Sequence, residues 1–154
     1  MSIKVTFVCL GNICRSPMAE GVFAEKVKQA GLENVIAVDS CGTGSWHVGE
    51  SAHRGTLQVL TEHEVPYDGR SRQLSENDLQ EADYLIAMDR SNLEGIKQRG
   101  TAKGEVKLLM DYANGGFERE VPDPYYSGGF DYVYDMVDAG TEALLKHIRE
   151  THGV

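Results

Sequence analysis

Cys9-Leu10-Gly11-Asn12-Ile13-Cys14-Arg15-Ser16 sets a nucleophile and a permanent cation six positions apart, with a glycine between them. A loop that short can wrap a tetrahedral oxyanion. Its backbone N–H groups turn inward, and a helix that follows presents the positive end of its dipole. Cys9 opens the loop, where a helix N-terminus and a neighbouring arginine favour the thiolate. Arg15 can fork onto two phosphate oxygens, and Ser16 can donate its hydroxyl to the sulfur, as anion and later as leaving group. These residue types at this spacing describe a cysteine that attacks phosphorus. Cysteine in an apolar strand usually reads as a small buried hydrophobe. Strand, glycine loop, arginine and Ser-Pro together carry the catalytic reading instead.

A thiolate that attacks a phosphoester needs an acid for the departing oxygen. Asp123, between two prolines in Pro122-Asp123-Pro124-Tyr125-Tyr126, has a stiff backbone that can aim its carboxyl. The same group can then serve as base on the water that hydrolyses a thiophosphate. The residues alone leave Asp123 open between this role and that of a turn aspartate beside proline. Trp46, the one tryptophan, stands in a Gly/Ser loop, and with Tyr125 and Tyr126 it can wall a slot for a flat aryl group.

The elements that must position these groups can be read from periodicity and turn residues. Ile3–Val8 reads as a buried central strand, and a helix over 18–30 carries Val22, Phe23 and Val27 on one face. Ser16 is the expected N-cap, Pro17 the first helical position, and Gly31 the stop. Further strands are expected over 35–40, 83–88 and 106–110. Helices are expected over 53–64 (Leu57 and Leu60 inward), 74–80 (capped by Ser75), 91–99 and 130–151, with long loops at 41–46 and 122–129. Strands alternating with helices imply right-handed crossovers and a parallel sheet covered on both faces. Ligands of such sheets bind beyond the carboxyl ends of the strands, where Cys9 falls.

At 154 residues, residues 1–154 are expected to form one α/β domain without linker or repeat. No run of about 18 apolar residues exists, so no membrane span is expected, and the placement expected is cytoplasmic. Three cysteines, two of them in the reactive loop, argue against a secreted disulfide framework. A formal charge of −9 disfavours nucleic acid as partner, so affinity for phosphate must be built locally. No metal-ligand spacing stands out, no cofactor is expected, and most of the five histidines read as solvated surface residues.

The chain resembles the low-molecular-weight protein tyrosine phosphatases from Ile3 to its closing helix. The likeness rests on Val8 through Glu20, on Asp123-Pro124-Tyr125-Tyr126, and on the stretch from Ser75 through Ala87-Met88-Asp89-Arg90-Ser91-Asn92. It implies a four-stranded parallel sheet flanked by helices on both faces, with a phosphate-binding loop after the first strand. It implies Cys9 as nucleophile, Arg15 as phosphate clamp and Asp123 as acid and base, without metal. Leu10, Gly11, Asn12, Ile13, Cys14, Ser16, Trp46 and Tyr125 then bind phosphate or substrate, and Ser40 joins Asn12 and Ser16 in holding the loop's shape. A protective disulfide between Cys14 and an oxidised Cys9 is also implied, whereas Cys41 reads as a small buried hydrophobe. Phosphotyrosine-containing proteins are the implied substrates. Apart from the resemblance, an exposed Tyr125-Tyr126 pair could self-associate, so a monomer or a weak homodimer is expected.

Two departures stand out. Tyr67-Asp68-Gly69-Arg70-Ser71-Arg72-Gln73 holds no histidine, where many members place one against the loop asparagine, so Asn12 needs another partner. Trp46 stands in place of tyrosine. Among relatives with the same loop, protein arginine phosphatases carry a threonine at the position of Ile13, and thioredoxin-coupled arsenate reductases need a cysteine pair beyond Cys41. Cysteine-phosphorylated carrier domains need no acid such as Asp123.

Overall fold

The computed structural model describes residues 2–154. Strands β1 (Ile3–Cys9), β2 (Ile36–Gly42), β3 (Tyr84–Ala87) and β4 (Glu105–Leu108) form one four-stranded sheet in the order β2-β1-β3-β4, with every neighbouring pair parallel. The helices are α1 (Arg15–Gln29), α2 (Arg54–Glu62), α3 (Glu76–Glu81), α4 (Arg90–Arg99), α5 (Pro124–Ser127) and α6 (Phe130–His152). No helix among the described residues is long and apolar enough to cross a membrane.

The period-two side-chain alternation of β1 and β3 divides the interior. Ile3, Val5, Phe7, Tyr84 and Ile86 join one core with Phe23 of α1, Leu60 of α2 and Met136 and Leu144 of α6. Val8, Leu85 and Ala87 join Cys41 in a second core under Leu79 of α3 and Ile96 of α4. Phe7 meets Phe23 edge-on at 5.5 Å. Because the chain leaves β1 toward β2 on one side and β3 on the other, the carboxyl end of β1 opens a crevice at the point where the strand order reverses.

Several expected boundaries move, each for a local reason. Helix α1 begins at Arg15 with Cys14 at its N-cap position, so Ser16 is not the cap. Its hydroxyl lies instead beside Cys9 and Asn12. Pro17 is the third residue of the helix and is tolerated there, since first-turn N–H groups have no intrahelical acceptor. Strand β2 runs on through Cys41 and Gly42, which pair with Val8 and Cys9. A 3₁₀ turn, Leu109–Asp111, takes over where β4 was expected to continue. Within the expected loop at 122–129, Asp123 caps the short helix α5, with Pro124 at its first position. In α2, Leu57 is only half-buried, and Thr56, Val59 and Leu60 face inward. None of the five histidines is buried, as expected for surface residues, but each lies against an aromatic ring. His53 stacks on Phe130 at 5.0 Å and His63 on Tyr134 at 3.7 Å, while His147 and His152 lie against Tyr84.

Candidate active site

Between Cys9 and Cys14 the loop is tied from outside by its carbonyls. Thr43 N–H donates to Cys9 O, Gly44 N–H to Leu10 O and His53 N–H to Ile13 O, at 3.0, 2.9 and 2.7 Å. Hydroxyls supply the rest, Ser71 Oγ to Gly11 O at 2.9 Å and Thr56 Oγ1 to Cys14 O at 3.0 Å. In a trans peptide the next N–H points opposite its carbonyl. The N–H groups of Leu10, Gly11, Asn12, Cys14 and Arg15 therefore turn to the loop's interior, and Asn12 N–H reaches Cys9 Sγ at 3.3 Å. Gly42 allows the close approach of β2 to the loop, since a Cβ there would sit 2.7 Å from Leu10 O.

Behind the loop lies a set of buried polar groups. Asn12 adopts the left-handed conformation (φ 56°), which asparagine tolerates better than other residues with side chains. Its Nδ2 donates to Ser16 Oγ at 2.8 Å and to Ser40 Oγ at 2.9 Å. Its Oδ1 accepts the Arg72 backbone N–H at 3.0 Å. That peptide group is the partner Asn12 requires in a chain lacking the histidine. Ser16 Oγ stands 3.0 Å from Cys9 Sγ. Arg72 is itself held by both oxygens of Asp78 and by Asp39, each within 2.9 Å.

Arg15 is buried and doubly anchored. Its Nη1 donates to Asp89 Oδ2 at 2.6 Å and to Val121 O at 3.0 Å. Its Nη2 stands 3.7 Å from Asp123 Oδ2. Burial opposes the guanidinium's charge, but Cys9, Asp89 and Asp123 hold its pKa above the ordinary value. Asp89 also caps α4 through Asn92 N–H at 2.8 Å, so one carboxylate starts that helix and aims the arginine.

A cleft of about 270 Å³ opens over Cys9. Leu10, Gly11, Ile13, Cys14 and Arg15 form its floor, and Trp46, His47, Asp123, Tyr125 and Tyr126 its walls. Of the residues singled out from sequence, Asn12, Ser16 and Ser40 lie behind the floor, and the others line the cleft. Asp123 Oδ1 accepts Tyr125 N–H at 3.0 Å, which leaves Oδ2 toward Arg15. Trp46 is 70% exposed and Tyr126 91%, so both rings stand at the rim. All three cysteines are free thiols. Burial, with the nearby charges of Cys9 and Asp123, pushes the Cys14 thiol up to about 12, and burial raises Cys41 too. No group of histidine, cysteine and carboxylate side chains among the described residues is arranged to hold a metal ion.

Sequence reading alone missed the site roles of Asp89 and His47. The Asp-x-x-Asn pattern could have marked a cap at Asp89, though not that β3 delivers it to Arg15. His47 lines the cleft, with Nδ1 3.1 Å from Glu50 and its ring 5.8 Å from that of Tyr125. Nothing but its adjacency to Trp46 marked it.

The fold and this cleft together define a class, and comparison with known proteins names it. The family model described as low molecular weight phosphotyrosine protein phosphatase matches residues 4–153, and the chain belongs to that family. It is 44% identical over 151 residues to the low molecular weight protein-tyrosine-phosphatase YfkJ of Bacillus subtilis, covering 96% of this chain and 97% of that protein. It is also 44% identical to PtpA of Staphylococcus aureus, over 95% of this chain and 94% of the other. The crystal structure of the Bacillus YfkJ superposes with a TM-score of 0.95 at 42% identity, over 98% and 97% of the two chains. A Drosophila arginine phosphatase superposes at 0.89 with 32% identity, over 96% and 98%.

Proposed function

We propose that the protein is a phosphotyrosine phosphatase working in two displacement steps through a cysteinyl phosphate, with the whole chain as one catalytic unit. One observation carries the reading. Cys9 Sγ, in contact with the Asn12 N–H and Ser16 hydroxyl, lies at the floor of a cleft that also holds Arg15, and Asp123 faces that arginine at 3.7 Å.

In the first step Cys9 Sγ attacks phosphorus in line. The S–P bond forms, the bond to the phenolic oxygen breaks, and protonated Asp123 gives its proton to that oxygen. Arg15 and the inward N–H groups hold the three equatorial oxygens as charge redistributes, which is where preorganised donors have most effect. In the second step Asp123 takes a proton from water. The water oxygen attacks phosphorus, the S–P bond breaks, and inorganic phosphate leaves. Ser16 Oγ–H receives the returning thiolate. The positive field comes from Arg15 and the loop amides, so this chemistry calls on no metal. Phosphotyrosine-bearing cytoplasmic proteins are the substrates this reading implies.

Ile13 favours an aryl group over a guanidinium at the floor, because its side chain offers no hydrogen bond. The test is hydrolysis of p-nitrophenyl phosphate with EDTA present, beside phosphoarginine as competitor. Rapid, EDTA-indifferent turnover of the aryl ester supports the reading. Preference for phosphoarginine overturns the choice of substrate, and turnover of neither overturns hydrolysis in favour of a phosphate carrier.

A further inference from the structure

Glu20, on the second turn of α1, points into the protein behind the phosphate loop rather than toward solvent. Its Oε1 accepts Ser40 Oγ–H at 2.6 Å and Tyr67 Oη–H at 2.8 Å. Ser40 Oγ in turn accepts from Asn12 Nδ2, which also donates to Ser16 Oγ beside Cys9 Sγ. The Arg72 N–H on Asn12 Oδ1 fixes which way that amide faces. The hydrogens of the chain therefore have one consistent assignment. Tyr67 and Ser40 both donate to an ionised Glu20, Asn12 donates to both serines, and the Ser16 hydrogen is left for Cys9 or, at a longer 3.5 Å, for Cys41 O.

The segment holding Tyr67 is shaped for this contact. Gly69 leaves room for the phenol, since a Cβ there would lie 2.5 Å from Tyr67 Oη. The ring packs against α1 at Gly21, where an added Cβ would stand 3.4 Å from it. This is the stretch from which the family's histidine is missing, and it presents a phenol hydroxyl to the buried polar chain instead.

We propose that Tyr67 is a positioning residue of the phosphate loop: its hydroxyl holds the Glu20 carboxylate and, through Glu20, Ser40 and Asn12, keeps the Ser16 hydroxyl aimed at Cys9. The proposal rests on the phosphatase reading for its kinetic arm only. Both hydroxyls donate to the one oxygen Oε1, and such bonds are stronger to a carboxylate than to a neutral acid, so the chain is tightest with Glu20 ionised. Burial raises the pKa of Glu20, while the hydrogen bonds from Ser40 and Tyr67 act against it. Asp39 on β2 pushes the same way as burial, and Arg72 opposes. Removing the Tyr67 hydroxyl therefore lets Glu20 take up a proton at higher pH, and the loss falls on the acid side.

Tyr67→Phe keeps the ring and deletes only the hydroxyl. It is expected to move the acid limb of kcat/KM for p-nitrophenyl phosphate upward and to lower kcat/KM about 3–10-fold at about pH 5, with a much smaller loss at about pH 7.5. Alkylation of Cys9 by iodoacetamide, read by mass spectrometry against pH, needs no turnover and is expected to shift in the same direction. Glu20→Gln removes the ionisable group, so Tyr67→Phe added to it is expected to cost little more. If Glu20→Gln does not fold, Ser40→Ala cuts the chain at the next link and serves in the cycle. An unchanged Tyr67→Phe alkylation profile, or independent effects in the double variant, overturns the proposal. A wild-type protein that hydrolyses no aryl phosphate but whose alkylation shifts with Tyr67→Phe overturns the phosphatase reading and leaves the relay standing.

Discussion

The two halves of the site are held in opposite ways. Around Cys9, five loop carbonyls are taken by outside donors, and Asn12, Arg15 and Ser16 are buried. Around Asp123, a four-residue helix lies between Pro122 and the Gly128-Gly129 pair, with Tyr126 almost wholly in solvent. On the proposed mechanism the first half holds phosphoryl charge and is preorganised, because donors that had to reorient during the reaction would give back part of their stabilisation. The half that delivers a proton on the proposed mechanism also forms the slot's rim, where Tyr126 stands in solvent. Arg15 joins the halves, since Nη1 reaches both Asp89 and the backbone of Val121, just ahead of Asp123.

The largest effect expected is from the rigid half. Cys9→Ser should lower kcat for p-nitrophenyl phosphate by at least about 10⁴-fold, and appreciable residual turnover in a purified sample would remove Cys9 from the mechanism. Next comes the half around Asp123. Asp123→Ala should slow phenyl phosphate, a poor leaving group, by about 10²–10³-fold and p-nitrophenyl phosphate by less. Competitive inhibition by inorganic phosphate should stay within a few-fold of wild type, because the loop is untouched; a parallel loss would show that the halves are not separable.

Asp89→Ala tests the joint. It strips a buried guanidinium of its carboxylate and α4 of its cap, so denaturant unfolding should report a loss of roughly 3 kcal/mol, together with weaker phosphate inhibition. Stability unchanged in that variant would mean that Val121 O alone suffices for Arg15. The smallest effect belongs to the rim. Tyr126→Ala should alter stability by no more than about 0.5 kcal/mol, since the ring is in solvent.

How much of this was legible beforehand follows the same division. The strand, glycine loop and helix around Cys9 could be read because local chemistry and chain order agree there. Ser16 as a cap could not have been right, since its hydroxyl is drawn to Cys9 and Asn12 by contacts that exist only after β1, the loop and α1 assemble. Strand β2 runs past its expected end because its length is set by pairing with β1. Residues 122–129 were expected as a loop, because the four residues of α5 are too few for a helical period to show. Asp89, His47, Glu20 and Tyr67 carry ordinary local signals of cap, loop or surface. What sets them apart is the neighbour that the parallel sheet and its crossovers bring to each.

The loop's two thiols differ in a way that has a practical use. Burial raises the Cys14 thiol and Cys41 is sealed in the second core, whereas Cys9 sits at the floor of the cleft with the Asn12 N–H and the Ser16 hydroxyl on its sulfur. On the proposed mechanism Cys9 is therefore the sulfur that a small electrophile is expected to label. The native sequence thus carries its own single-site label. A fluorophore or heavy atom placed there, with no cysteine engineered in or out, would count occupied sites directly, and phosphate or a substrate peptide would announce its binding by protecting that position from the reagent.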